Sequence, residues 1–169
     1  LVFVQIILPL LIIPHNYLLI IDIMLSNCYL IYKRVFYPCF FERGTIMKVL
    51  IGCETSGIVR EAFLNQGHDA WSCDVLPSDT PTNRHIQDDV RHVLDMEQWD
   101  LLMVAHPPCT RLCNSGVRWL HKAPPGKTLE QMWEELDQGA DLFSHVWNAD
   151  VPRIAVENPV MHKHAKERI

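Results

Sequence analysis

Two short stretches hold most of the chemistry this chain could do. In "AHPPCTRLCNSG" (residues 105–116), Cys109 follows two prolines at the end of an apolar run, and Cys113 comes four residues later. In "RIAVEN" (153–158), Glu157 and Asn158 close a second apolar run. Proline fixes backbone φ, so Pro107 and Pro108 hold the next thiol in place, as a nucleophile requires. Covalent catalysis by cysteine needs an accessible thiolate of lowered pKa. A nearby carboxylic acid would give or share a proton. Cys109 also reads as a metal ligand or as a small hydrophobe in a loop. His106, Cys109, Cys113 and His121 are zinc-type donors, but their spacing is not a Cys-x-x-Cys pair, so no metal is expected.

Two further groups sit where apolar runs end. "CETSG" (53–57) leads into a helical pattern, and Asp74 closes "DAWSCD" (69–74). Each has a plain alternative. Gly57 reads as a helix-start glycine, and Asp74 as the cap of a turn before Pro77. Arg111, Asn114, Ser115 and Arg118 follow Cys109 in a loop that either closes over a ligand or is an ordinary mobile connection.

The elements that must position these residues alternate in type. "KVLIGC" (48–53), "DAWSCD", "DLLMVA" (100–105) and "RIAVEN" are short apolar runs that read as buried strands. "SGIVREAFLNQG" (56–67) carries Ile58, Val59, Ala62 and Phe63 at helical spacing and ends at Gly67. Residues 128–147 form a long helical pattern. Thr128 and Gln131 predict a capping box, and Leu129, Met132, Trp133, Leu136, Ala140, Phe143 and Trp147 an apolar stripe. "MHKHAKER" (161–168) reads as a solvated helix face. Strands alternating with helices predict an α/β domain with a mostly parallel sheet, doubly wound. Such sheets bind ligands at the carboxyl ends of their strands, where Cys53 to Gly57, Asp74, His106 to Cys109, and Glu157 with Asn158 all fall.

The chain has 169 residues, enough for one domain with a sizeable core, and a formal net charge of −5, which excludes an overall basic field. Its six cysteines lack a compact disulfide spacing and read as reduced thiols of a cytosolic protein. Residues 1–46 differ from the rest: apolar, nearly uncharged and without helical or strand alternation. A membrane helix needs ~20 apolar residues in a row, and Pro9, Pro14, His15, Asn16 and Asp22 interrupt every candidate. The segment reads as translated upstream sequence or an extension outside the domain, with Met47 as the functional start and a membrane anchor as the alternative.

"DLLMVAHPPCT" resembles the Pro-Cys motif of the DNA cytosine-5 methyltransferases, and "VENP" resembles their Glu-Asn-Val motif. The resemblance covers residues 47–169 and is nearest to small phage-type members. It implies a Rossmann-like S-adenosylmethionine-dependent methyltransferase fold, here C-terminally truncated and inactive alone. It implies Glu54, Ser56, Gly57, Asp74, Asp89 and Pro107 as the cofactor side, Asp89 being preferred to Asp88 for the place near the adenine. Cys109 matches the nucleophile, Glu157 the glutamate that contacts the cytosine ring, and Asn158 the asparagine that braces the Pro-Cys loop. Pro108, Arg111, Asn114, Ser115 and Arg118 become candidate contacts to the base or DNA. The partner implied is DNA with a flipped cytosine; no membrane is expected, and the protein is expected to be a cytoplasmic monomer of a bacterial or phage-infected cell.

Departures accompany the resemblance. Cys53 and Thr55 stand where the family turn has Phe and its first Gly, Thr110 stands where a glutamine follows Pro-Cys, and Pro159 replaces the valine of Glu-Asn-Val. No Gln-x-Arg motif is present. Two alternatives therefore stand beside cytosine-5 methylation. One is transfer to an exocyclic amine, for which the tip would carry an aromatic in place of Cys109. The other is a non-catalytic decoy or DNA-binding protein on the same fold.

Overall fold

The computed structural model describes residues 30–33 and 46–169. Alternation of strand and helix gives a six-stranded sheet in the order β1-β6-β5-β2-β3-β4. The strands are β1 (Leu30–Lys33), β2 (Lys48–Gly52), β3 (Asp69–Asp74), β4 (His85–Gln87), β5 (Leu101–Val104) and β6 (Ile154–Glu157). The last five pair in parallel, and β1 runs antiparallel along the outer edge of β6. Residues 1–29 and 34–45, on which most of the expectation for the N-terminal segment falls, lie outside the described residues. Among the described residues no helix is long and apolar enough to cross a membrane.

The parallel strands bury side chains on both faces, so each strand supplies two cores. Val49, Ile51, Ala70, Met103 and Ala155 meet helix α1 (Ile58–Asn65) through Val59 and Phe63. Leu50, Cys73, Leu102, Val104, Ile154 and Val156 meet α2 (Val90–Met96) and α3 (Leu129–Asn148) on the opposite face. Leu50, Ile51 and Leu102 are fully buried, and each stabilises the fold by roughly 1.5–3 kcal/mol relative to exposure. β4 and α2 were not expected from the sequence.

Both halves of the α3 capping box are present: Thr128 accepts from the Gln131 amide, and Gln131 accepts from the Thr128 amide. The stripe is shifted from the expected one. It runs through Met132, Leu136, Gly139, Ala140, Phe143 and Val146, whereas Leu129 projects from the first turn beyond the core and is exposed. Ile58 is likewise exposed at the start of α1. The segment after β6 also differs from expectation. It forms only the short helix α4 (Lys163–Lys166), and Met161, His162 and Ala165 are buried against the loop that follows β5.

Chain order fixes where a ligand can enter. From β2 the chain winds outward to β3 and β4, then returns to lay β5 and β6 on the other side of β2. Connections leave in opposite directions from β2 and β5, which opens a crevice outside their carboxyl ends. The arrangement is compatible with a Rossmann-like fold. Glu157 ends β6, which pairs with β5, Val104 opposite Val156, so it lies on the strand neighbouring the one that leads to Cys109.

Candidate functional site

The turn after β2 is built under strain. Cys53 has φ 55° without being glycine, and Gly57 has φ 73°. A non-glycine residue in the left-handed region costs on the order of 1–2 kcal/mol and is held only where its surroundings enforce it. Gly57 is required for a second reason: a Cβ there would collide with the guanidinium of Arg60, which is buried directly beneath. The first amides of α1 are already engaged. Ile58 N–H donates to Ser56 Oγ (3.2 Å), and Val59 and Arg60 N–H donate to the Glu54 carboxylate (2.7 and 3.3 Å). Glu54 is 1% exposed. This corrects its expected place as a cofactor contact: it caps the helix from inside, and Ser56 helps it.

The rim beyond β3 is more open. Asp74 is half-buried and accepts from Leu76 N–H through Oδ1 (2.9 Å), so the turn-capping role is real; it enters no ion pair among the described residues. Val75 and Leu76 are exposed beside it, an apolar pair the sequence reading passed over. Asp89 caps α2 by accepting from Arg91 N–H, and the Arg91 guanidinium grips both its oxygens at 2.6–3.2 Å. That hydrogen bonding holds the Asp89 carboxyl down at about 2. Asp88 accepts from Asp89 N–H (2.6 Å) and pairs with His92. The Cys53 thiol, facing this acidic edge, is pushed up to about 12 by burial and by Asp74.

On the other side of the crevice, Pro107 is buried, and His106 and Pro108 are exposed. Cys109 opens a helical turn, its carbonyl accepting from Leu112 N–H (2.9 Å) and Cys113 N–H (3.1 Å). Its thiol is half-buried and raised above the ordinary 9.0, by burial first and then by the Glu157 charge and Cys113. The low-pKa thiol expected from the sequence is therefore not found in this state. Glu157 is therefore near enough for its charge to act on the thiol. Glu157 Oε1 and Asn158 Oδ1 are buried with no hydrogen-bond partner among the described residues. A buried orphan acceptor costs about 1–3 kcal/mol, so two adjacent ones beside a thiol mark a place where a polar ligand would be welcome.

The loop after Cys109 is knit down. A Cβ on Gly116 would collide with the Thr110 carbonyl. Leu112 and Leu120 are buried in the α3 core. Cys113, expected to be unpinned, is buried; it bridges to Met161, and its sulfur lies 3.0 Å from Ser115 Oγ. Asn114 N–H donates to the Val160 carbonyl (3.0 Å). Asn158 was expected to brace this loop, but its amide donates to the Pro159 carbonyl (2.5 Å). The brace is His162. Its backbone N–H donates to the Leu112 carbonyl (3.0 Å) and its Nδ1 accepts from Ala165 N–H (3.1 Å), which leaves Nε2 to donate to the Arg111 carbonyl (2.6 Å). The Arg111 guanidinium donates to Glu135 of α3 (2.7 Å). Asn114, Ser115 and Arg118 remain exposed, with Arg118 lying over the Trp119 ring.

Among the described residues no group of three or more His, Cys, Asp or Glu side chains is arranged to hold a metal ion. Cys53, Cys73, Cys109 and Cys113 are free thiols. Compared with protein-family models, curated proteins and solved structures, the chain matches none.

Proposed function

We propose that the chain is a cytosine-5 methyltransferase-type domain acting on DNA, with S-adenosylmethionine held over the β2 and β3 ends and a flipped cytosine between Cys109 and Glu157. The observation that carries this reading is the half-buried thiol of Cys109 within electrostatic reach of Glu157, whose Oε1 is buried with no hydrogen-bond partner among the described residues, beyond the carboxyl ends of the neighbouring strands β5 and β6. A pyrimidine ring offers both groups what they lack: an electrophilic carbon for the sulfur and a ring nitrogen for the carboxyl.

The residues present fit such a cofactor. Asp74 is a half-buried carboxylate able to receive a ribose diol, and the exposed Val75 and Leu76 offer an apolar wall to a purine. When bound, S-adenosylmethionine supplies a methyl group on an electron-poor sulfonium sulfur. Gly57 keeps the turn closely packed over Arg60, and Pro107 and Pro108 fix the approach of the thiol.

Carbon 5 of cytosine is a poor nucleophile. Sulfur of the Cys109 thiolate adds to carbon 6, and the ring electron pair moves to carbon 5, which can then take the methyl group. A proton on Glu157, shared with ring nitrogen 3, offsets the charge that develops on the ring. Loss of the carbon 5 proton to solvent or a base then expels the Cys109 sulfur and restores the ring. A Glu157 carboxyl that shares a proton with the base would oppose the Cys109 thiolate less.

Transfer to an exocyclic amine is not favoured, because the tip presents Cys109 where an aromatic would stack. The raised thiol is the observation on the side of a non-catalytic protein with the same fold. Calorimetric titration of the full chain with S-adenosylmethionine, alone and with DNA, tests the proposal. Binding by the parent, weakened by about 1–3 kcal/mol in Asp74→Ala through the lost charge-assisted hydrogen bonds, is expected. No binding under either condition would sink the methyltransferase reading, and binding unchanged in Asp74→Ala would remove Asp74 from the site.

A further inference from the structure

We infer that Arg60, Ser72 and His85 form a relay, buried at Arg60 and Ser72, that sets the spacing between the Gly57 turn and the Asp74 loop, and that its half-buried His85 end makes cofactor affinity depend on pH. The inference rests on the proposed cofactor site.

The relay is continuous. Arg60 is 1% exposed, lies beneath Gly57, and donates from NH1 to Ser72 Oγ (2.7 Å). Its other nitrogens reach only Glu61 at the surface (3.1 and 3.2 Å). Ser72 is fully buried, and its Oγ lies 2.9 Å from His85 Nδ1. The other ring nitrogen, Nε2, is 3.0 Å from the Leu76 carbonyl. A carbonyl only accepts, so Nε2 carries the proton. Nδ1 is then bare and accepts from the Ser72 hydroxyl, which in turn accepts from Arg60. One assignment of protons satisfies every group.

The ends of this chain are the two walls of the proposed site. Arg60 supports Gly57, which cannot take a side chain without displacing it. Leu76 is held at both its backbone groups: its carbonyl by His85 and its N–H by the Asp74 carboxylate. On the solvent side the same loop is tied again to the turn, Asp79 N–H donating to the Thr55 carbonyl (2.9 Å) and Thr55 Oγ1 to Asp79 (3.1 Å). A shift at Ser72 or His85 therefore changes the gap between Gly57 and Asp74 without either residue touching the ligand. They are positioning residues.

Protonation of His85 breaks the arrangement. Both ring nitrogens become donors, and Ser72 Oγ is left between two cations with no acceptor for its own proton. Charged groups of the neighbouring elements border the relay. Arg60 of α1 meets Ser72 on its other side, with Glu61 beyond it. Asp74 of β3 holds the N–H of Leu76, and Arg84, just before His85, is paired with Asp69 of β3. Asp88, just after β4, is paired with His92.

The test is calorimetric titration of S-adenosylmethionine into the full chain at about pH 7.5 and about pH 5.5, either side of the ordinary histidine range. Folding at each pH is checked by circular dichroism. Affinity of the parent is expected to fall about fivefold or more at the lower pH. His85→Gln keeps a donor for the Leu76 carbonyl and cannot titrate there, so its affinity should change by less than about twofold. His68 and His162 titrate in both proteins, so the comparison isolates His85. His85→Ala should bind several-fold more weakly at both pH values. Binding with the same pH dependence in parent and His85→Gln overturns the relay while leaving the cofactor site standing. No binding by the folded parent at either pH overturns the cofactor site and the relay with it.

Discussion

Cys109 follows β5 and Glu157 ends the neighbouring β6, and after burial the Glu157 charge is the strongest influence raising the Cys109 thiol. Glu157→Gln keeps the shape and removes the charge. The pH midpoint for alkylation of Cys109 should then fall. Iodoacetamide labelling across pH, read at the Cys109 peptide by mass spectrometry, separates this thiol from the others. An unchanged midpoint would mean that the two groups do not act on each other.

Gly57→Ala should be among the most damaging small substitutions in the chain. The new Cβ must adopt φ near 73° and must displace the Arg60 guanidinium from Ser72. Left-handed strain and a disturbed buried charge together cost roughly 2–4 kcal/mol. Urea unfolding of the variant against the parent measures it; a loss under about 1 kcal/mol would show that Arg60 relaxes without cost.

The elements that advertise themselves locally were legible. The runs at 48–53 and 100–105 are continuous apolar strands, and the Thr128–Gln131 box is a short-range device readable from four residues. β4 has three residues and no apolar period, and α2 is announced chiefly by its Asp89 cap, so both were passed over. The nearness of Cys109 and Glu157 could be anticipated because β5 and β6 are neighbouring strands of one parallel sheet. Long-range partners were invisible. Cys113 looked unpinned because Met161 and the His162 brace lie some fifty residues further along the chain. Glu54 looked like a ligand-binding acid because a carboxylate that turns back to cap the next helix has the same sequence as one that faces a cleft.

His162 should make the stability of the loop at 109–116 depend on pH. Burial chiefly lowers its pKa below the ordinary 6.5, while its bond to the Arg111 carbonyl works in the other direction. The unfolded chain takes up a proton at 6.5 that the folded chain resists, so stability is lost as pH falls below about 6.5 and is present above it. The advantage of the parent over His162→Ala should therefore be greatest near neutral pH, at about 1–3 kcal/mol for the lost buried hydrogen bonds. It should shrink toward about pH 5. Urea midpoints at several pH values give the curve, and a constant difference would show that His162 is not held neutral.

Cys109 and Cys113 share one helical turn and should separate cleanly by role. Cys113 is buried, its sulfur lying against Ser115 Oγ and the Thr110 carbonyl, and its backbone bridges to Met161. Cys109 is half-buried and faces Glu157. Cys113→Ala should thus lower stability by about 1–2 kcal/mol through lost packing and contacts. Cys109→Ser should leave stability within about 0.5 kcal/mol, because it removes little buried apolar surface. Chemistry should divide the other way. With S-adenosylmethionine and DNA carrying 5-fluorocytosine, fluorine stands where the carbon 5 proton would be and cannot leave as a cation, so the enzyme–base bond persists and shows as a retarded band on a denaturing gel. In a form of the chain that grips DNA, the parent sequence and Cys113→Ser should form it, and Cys109→Ser should not. An adduct that survives Cys109→Ser assigns the nucleophile elsewhere. A folded parent that binds S-adenosylmethionine and DNA but forms no adduct would favour the non-catalytic reading, in which the strained turn and the facing thiol and carboxyl serve binding alone.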